Sequence, residues 1–360
     1  MRLWAPGRGG RWGRAAARWA RLLASRRVAP GLRVFYGHDR VPEPGEPVAG
    51  GTAKFQKLAT RFPNRSVGFS LLYLGSTWLP RDLGPLLRLA ARRGIPVVLN
   101  QNGVGYPGWA GADTEAFNRP IRQALRAADH VLYQSEFCKR SADEWVAEPR
   151  GSWEILPNAV DVDLFTPADS PPAGGPVLLL GGDQTQGYRL ELALRTLAAL
   201  LPAQPDARLV VTGCVVVPIE PLVDELGLRG HVDVVGRYAQ RDAPRLFRRA
   251  HLLLHTKVND PCPTLVLEAM ASGLPVVHPA SGGVAELVTD EAGIGVPHND
   301  GFERDDPPSP EALAEAVERV LSHLPTYRKS ARRRAVEGYA LAPWLDRHAE
   351  LFESLVTRRG

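Results

Sequence analysis

One grammar is written twice along this chain: short runs of leucine and β-branched residues alternate with amphipathic helical stretches. In the first half the pattern predicts strands at 34–36, 67–74, 96–100, 131–134 and 154–156, with helices around 83–93, 119–128 and 136–146. In the second half it predicts strands at 177–180, 208–212, 232–235, 252–255 and 276–278. A strand period that keeps yielding to a helical one means βαβ units, and βαβ units mean parallel sheets covered by helices. Between the halves, residues 166–176 crowd Pro167, Pro171, Pro172, Gly174, Gly175 and Pro176 together, the composition of a linker. The chain therefore divides into a basic segment 1–30, a first α/β domain 31–165, a linker 166–176, a second α/β domain 177–325 and C-terminal helices 326–360. In that tail Ser309 is an expected N-cap with Pro310 after it, and Pro325 and Pro343 break the helical pattern into pieces. Its length suits a tail that crosses back onto the first domain.

At 360 residues and 44% hydrophobic content the chain can fill two such cores. The formal charge of +5 invites a nucleic-acid partner, but residues 1–27 hold eight arginines and no acid. Removing them leaves 36 basic against 39 acidic residues, so the body has no general affinity for polyanions and no nucleic acid is expected. Within the basic segment Trp12, Ala16, Trp19 and Leu23 recur at helical spacing, with Arg11, Arg14, Arg18 and Arg21 on the other side. That is the pattern of a helix lying on an anionic membrane surface; the alternative is an unstructured leader. No run approaches the ~18 apolar residues of a spanning helix, and the first 30 residues lack the apolar core of a secretory signal. The expectation is a cytoplasmic chain, with residues 11–27 at the inner face of the membrane. Cys138, Cys214 and Cys262 are odd in number, far apart and without zinc-ligand spacing, which reads as reduced structural thiols and no metal site.

The segment that carries chemistry is 258–288, VNDPCPTLVLEAMASGLPVVHPASGGVAELV. Pro263 suits the first turn of a helix running from Thr264 to Met270, and the N–H groups of Thr264 and Leu265 at such a start are free to hold a diphosphate. Glu268, one turn further in, is placed to accept two hydrogen bonds from a ribose diol, and Asp260, in the loop before, to take sugar hydroxyls. Taken as isolated acids the pair would be an exposed helix residue and a loop cap; the surrounding pattern favours the functional reading. Ser281, Gly282 and Gly283 make a second glycine-rich helix start with further backbone donors.

This segment resembles the donor-site signature of the retaining GT-B glycosyltransferases of glycosyltransferase family 4 (group 1), in which an acid, seven residues and a glutamate precede Ala-Met and a Gly-x-Pro-Val strand. The resemblance implies a GT-B fold, two doubly wound Rossmann-like domains facing a cleft, over roughly Val34 to Val356. Asp260 departs from the family's usual glutamate by one methylene. The string LPNAVDVDLF looks like the family's passage into the linker, and Val235, Gly236 and Arg237 like the loop whose backbone holds the nucleobase. Where the family commonly has an arginine and a lysine on the diphosphate, this chain has GGDQTQGYRLE: Arg189 stands for the lysine, Asp183 or Gln184 fills the arginine's place, and Lys257 can supply the missing charge. Where many relatives have a histidine, NQNGVGYPGW offers Asn102, which either hydrogen-bonds a sugar hydroxyl or makes an Asn-Gly turn. Gly50, Gly51 and Lys54 resemble the family's flexible glycine loop near acceptor and phosphate, or form a plain loop.

The function implied is transfer of a sugar from a nucleotide diphosphate sugar to a hydroxyl of a glycan or lipid-linked saccharide, with retention of configuration. No cofactor is expected, and Asp260, Asn102 and Lys257 are placed nearest the reaction. No carboxylate pair announces double displacement, which agrees with the front-face mechanism usually proposed for the family. Two other readings use the same frame: a nucleotide-sugar 2-epimerase, and a glycan-binding relative without turnover, the latter resting on Asp183 and Asn102.

Overall fold

The computed structural model describes residues 17–23, 31–43, 45–46, 50–299 and 301–358. Five parallel strands form the first sheet in the order β1-β2-β3-β4-β5: Val34–Phe35, Leu71–Gly75, Val97–Gln101, His130–Tyr133 and Ser152–Ile155. Alternation along the strands divides their side chains between two faces. Phe35, Leu72, Leu74 and Leu99 meet Leu86, Ile121, Leu125 and Cys138 from the helices Leu83–Arg92, Thr114–Ala127 and Glu136–Trp145. On the other face Tyr36, Tyr73, Val98 and Leu132 meet Phe55 and Leu58 of the helix Gly50–Arg61. Trp344, Leu351 and Phe352 of the last helix, Leu341–Thr357, join that core, so the tail does cross back.

The second sheet, also parallel, runs β11-β10-β9-β6-β7-β8. Its strands are β6 (Val177–Leu180), β7 (Arg208–Thr212), β8 (Val232–Gly236), β9 (Leu252–Leu254), β10 (Val276–Pro279) and β11 (Gly293–Val296). Strand order reverses beside β6, which pairs with β7 on one side and β9 on the other. The crevice beyond the carboxyl ends of β6 and β9 is where a doubly wound sheet binds ligands. The tail folds as three helices, Pro310–Ser322, Leu324–Tyr339 and Leu341–Thr357, and Ser309 caps the first by accepting the Ala312 N–H at 3.1 Å. Pro325 and Pro343 lie in the first turns of the second and third, where a missing N–H leaves no hydrogen bond unmade.

Three expectations are corrected here. Gly50, Gly51 and Lys54 belong to a helix, Gly50–Arg61, and not to a flexible loop; Phe55, Leu58 and Phe62 recur at helical spacing and bury under the tyrosine face. Strand β11 escaped the pattern because glycines fill half of it; a Cβ on Gly293 would collide with the Val276 carbonyl on the neighbouring strand. Residues 17–23 are helical, yet their apolar side is not left for lipid. Leu22 is buried and Trp19 packs on the first core. Arg18 donates to the Gly37 carbonyl at 2.7 Å and pairs with Asp82 at 3.1 Å, and Arg21 pairs with Asp39 at 3.1 Å. Two of the arginines expected on phosphates, Arg18 and Arg21, are thus bonded to the first domain, although Leu23 stays half exposed. Trp12, Ala16, Arg11 and Arg14 lie outside the described residues. Among the described residues no helix is long and apolar enough to cross a membrane.

Candidate functional site

A cavity of about 400 Å³ opens at the reversal of the second sheet, between the loops after β6 and β9 and the first domain. From the second domain Gly181, Gly182, Asp183, Arg189, His255, Lys257 and the segment Asn259 to Leu265 line it. The first domain contributes the ends of its own strands, notably Thr77 after β2, Asn102 to Val104 after β3 and Gln134 after β4.

Asp260 sits at the centre of the second-domain wall. Lys257 Nζ stands 3.2 Å from one carboxylate oxygen and His255 Nε2 3.6 Å from the other. Burial alone would push this carboxyl up, but Lys257 foremost, with His255 and Arg189, holds it below its ordinary value. His255 itself is lowered to about 3 by burial and is neutral at physiological pH, so its approach to Asp260 is a contact and not an ion pair. Both its ring nitrogens are buried and, among the described residues, lack a hydrogen-bond partner.

The loop that aims Asp260 is pinned from several sides. Tyr188 accepts the Val258 N–H at 3.1 Å, and Ser281 Oγ accepts that of Asn259, whose φ is +52°. Gly283 N donates to the Asp260 carbonyl at 2.9 Å, and Ser135 of the first domain donates to Pro261 O at 2.9 Å. A Cβ on Gly283 would collide with the Pro261 carbonyl oxygen. These glycines are therefore required by a close backbone approach, which moves their expected role. Gly283 N–H is spent on Asp260, and Ser281 and Gly282 face a separate groove of about 750 Å³ between the helices Glu136–Trp145 and Val284–Leu287. They position the acid and do not line the cavity.

Arg189, on the helix Gly187–Leu200, is buried and donates to the carbonyls of Asp183 at 2.8 Å and Gly181 at 3.2 Å, which shapes the loop after β6. Burial lowers its guanidinium and Asp260 is the main charge that offsets this. Asp183, in the place of an expected arginine, accepts the Cys214 N–H at 2.7 Å and so ties this loop to the end of β7. Gly236, with φ +75°, and the exposed Arg237 stand at the end of β8, Arg237 3.8 Å from Asp183, outside the cavity lining.

Pro263 precedes the helix Thr264–Ala271, and Thr264 and Leu265 at its start line the cavity. One turn on, Glu268 is buried beside Gln240, which donates to it at 3.2 Å. Burial pushes its carboxyl up to about 7, against the pull of Lys57 from the first domain. The acid thus lies at the domain boundary, with Lys57 and Gln240 as neighbours that sequence reasoning missed, since neither stands in a recognisable pattern.

On the facing wall Asn102 is bonded to the loop that follows β2. Its Oδ1 accepts from Ser76 Oγ at 2.7 Å and the Thr77 N–H at 3.1 Å, and its Nδ2 donates to Thr77 Oγ1 at 2.7 Å. The expected Asn-Gly turn is not formed; the side chain instead fixes the Ser76–Thr77 loop. Gly51 joins the lining, whereas Lys54 lies behind it, donating to Asn100 Oδ1 at 2.6 Å. Gln134 links Asn100 to Asn158, and Asn158 donates to the Cys262 carbonyl at 2.7 Å, so a buried amide chain joins the domains beneath the cavity. Burial lowers Lys54 to about 7.

Residues 171–337 match the family model described as Glycosyl transferases group 1. A glycogen synthase of Ralstonia nicotianae is 30% identical over 220 residues, a match taking in 58% of this chain and only 40% of that protein. A D-inositol 3-phosphate glycosyltransferase of Mycobacterium sp. (strain JLS) is 26% identical over 382 residues, 92% of this chain and 81% of the relative. Among solved structures, sucrose-phosphate synthase from Thermosynechococcus elongatus superposes with a TM-score of 0.69 at 19% identity, over 98% of this chain and 94% of that one. Anabaena HepE in complex with UDP-glucose gives 0.65 at 19% identity, over 80% and 79%. At these identities the solved structures establish the fold, which is GT-B: two parallel-sheet Rossmann-like domains. The family match itself spans residues 171–337 of the 360, all of them in the linker, the second domain and the start of the tail.

Proposed function

We propose that this chain transfers a sugar from a nucleotide diphosphate sugar to a hydroxyl of a glycan or lipid-linked saccharide, retaining the anomeric configuration. The observation that carries the reading is Asp260, kept ionised between Lys257 and Arg189 at the start of the helix Thr264–Ala271, facing the first domain across the cavity. Cations and a helix N-terminus at one spot suit a diphosphate leaving group, and in this reading they take the place of a metal. Asp260 accepts hydroxyls of the transferred sugar, with His255 beside it as a neutral partner. Glu268 takes the ribose diol.

In the front-face reaction the acceptor oxygen bonds the anomeric carbon on the side from which the diphosphate departs, and the acceptor proton passes to the leaving phosphate. The protein then has to orient the two substrates, stabilise the departing charge and keep water out. Incubating the chain with UDP-glucose and a panel of other nucleotide sugars, with and without saccharide acceptors, tests this. Acceptor-dependent release of nucleoside diphosphate is expected, and NMR of the product should give the donor's anomeric configuration. No release across the panel, or change of the nucleotide sugar without an acceptor, overturns the proposal.

A further inference from the structure

The cavity is asymmetric in charge. Its described cationic lining residues, Arg189 and Lys257, both belong to the second domain, where Asp183 and Asp260 already offset them. His255 is neutral, as its value of about 3 requires. Among the described residues the first-domain lining carries no charged side chain; it is made of backbone, amides, the Thr77 hydroxyl and the rings of Tyr106, Trp109 and Phe117. A donor diphosphate, with about two negative charges, engages both cations. A phosphorylated acceptor would then bring further charge to a wall whose lining holds no cation, Lys54 behind it being spent on Asn100, and that is a cost in a closed site.

The same wall is built to present an aromatic face. Trp109 remains 43% exposed, standing edge-on to Phe117 at 4.9 Å. Its short helix, Pro107–Ala110, is held from both domains. Gly108 N donates to Phe302 O at 2.8 Å, and the preceding turn is clamped by Asn118, which receives the Gly105 N–H at 2.7 Å and donates to the Gly105 carbonyl at 2.8 Å. The backbone that carries the ring is thus fixed by the fold, which lowers the ordering cost of binding. Thr77 Oγ1, accepting from Asn102, keeps its own proton to donate.

We infer that the acceptor is an uncharged saccharide, lying with one face on Trp109 and hydrogen-bonded by Thr77. This deepens the transferase reading and rests on it. A rigid aromatic surface with one hydroxyl suits a sugar ring, apolar on its C–H face and polar at its edge.

The test is binding to the full chain, followed by saturation-transfer NMR with UDP, GDP or ADP present. The probes are methyl α-glucoside, maltose and cellobiose, set against glucose 6-phosphate and D-inositol 3-phosphate. Ring-proton signals are expected from the neutral sugars. Trp109→Ala should weaken their binding about fivefold or more and Trp109→Phe should retain part of it, while Thr77→Val gives an independent loss. The phosphorylated probes should bind no more tightly than glucose and inositol at any salt concentration. Tenfold tighter, salt-sensitive binding of a phosphorylated probe overturns the inference, as does unchanged neutral-sugar affinity in Trp109→Ala. Nucleotide binding in the same samples separates the two levels: if a nucleotide binds and no neutral sugar does, the acceptor inference alone falls. If none of the three nucleotides binds, the transferase reading falls with it.

Discussion

At Glu268 burial and use pull in opposite directions. A carboxyl raised to about 7 is protonated in the folded protein well above the pH at which it ionises in the unfolded chain. Folding therefore favours the neutral form: the stability it contributes is fully present below the ordinary carboxylate range and is lost as pH rises through 7. A ribose diol, in contrast, wants the carboxylate. Affinity for a nucleotide sugar, whose esterified diphosphate does not titrate in this range, should rise in calorimetry between pH 6 and 8 in the wild type and stay flat in Glu268→Gln, which at pH 8 should bind about tenfold or more weakly. A wild-type profile as flat as the variant's would remove the ribose role. Asp260 behaves differently because its carboxyl is held low and stays charged. Asp260→Asn should leave affinity for free nucleoside diphosphate nearly unchanged and cut turnover of the nucleotide sugar; equal losses in both would place it on the phosphates instead. Asp260, Lys257 and Thr264 were legible because they share one short stretch beside a strand end, and Arg189 because it follows another. His255 was read only as the end of a strand. Trp109 was not legible, since it lines the cavity through the way the helix Pro107–Ala110 is held by Asn118 and Phe302 and through no local pattern.

Among the elements, although the strand expected from residue 67 begins only at Leu71, the strands of both sheets except β11 emerge from periodicity. The helix Gly50–Arg61 does not, because Gly-Gly after a proline-rich stretch is also what a loop looks like, and only packing under Tyr36 and Tyr73 decides between them. Less visible still is what joins elements across domains. Glu286, on the short helix Val284–Leu287, reaches over and accepts the N–H groups of Glu136 at 2.7 Å and Phe137 at 2.8 Å. A second-domain acid thus caps the helix Glu136–Trp145 of the first, complementing its N-terminal partial charge. Its carboxyl is nonetheless raised by burial, these backbone bonds only partly offsetting it. Glu286→Ala removes the acceptor of both donors, one of them open to water, a loss of about 1 kcal/mol as for a helix cap. The expected reading is a lower melting temperature, with a smaller drop in Glu286→Gln, which keeps one acceptor oxygen. Equal melting for all three proteins would show that solvent replaces the cap at no loss.

For the whole molecule, the two-domain plan follows from the repeated grammar and the Pro/Gly linker, but the closeness of the domains does not. It depends on Phe302, which reads as one apolar residue in a polar, proline-rich stretch. Its ring enters the first domain among Tyr106, Phe137 and Trp145, with centroid distances of 5.3, 5.6 and 6.1 Å. The tail supplies the other side of the hinge: Val160 N donates to Tyr339 O at 2.8 Å, and Arg332 donates to the carbonyls of Val162, Phe165 and Ala271. The tail thus fixes one end of the interface between the domains and the Phe302 ring the other. Removing the ring should leave each domain folded and free the distal end. Phe302→Ala is therefore expected to show a larger radius of gyration than the wild type in small-angle scattering without ligand, and to compact when saturated with a nucleotide sugar that bridges the cavity. Part of the donor's binding free energy then goes into closure, so its apparent Kd should rise by the fraction of chains left open. Identical scattering from wild type and Phe302→Ala without ligand would mean that the Glu286 cap and the buried amide chain through Asn158 suffice to keep the domains together, and that Phe302 only fills a gap between them.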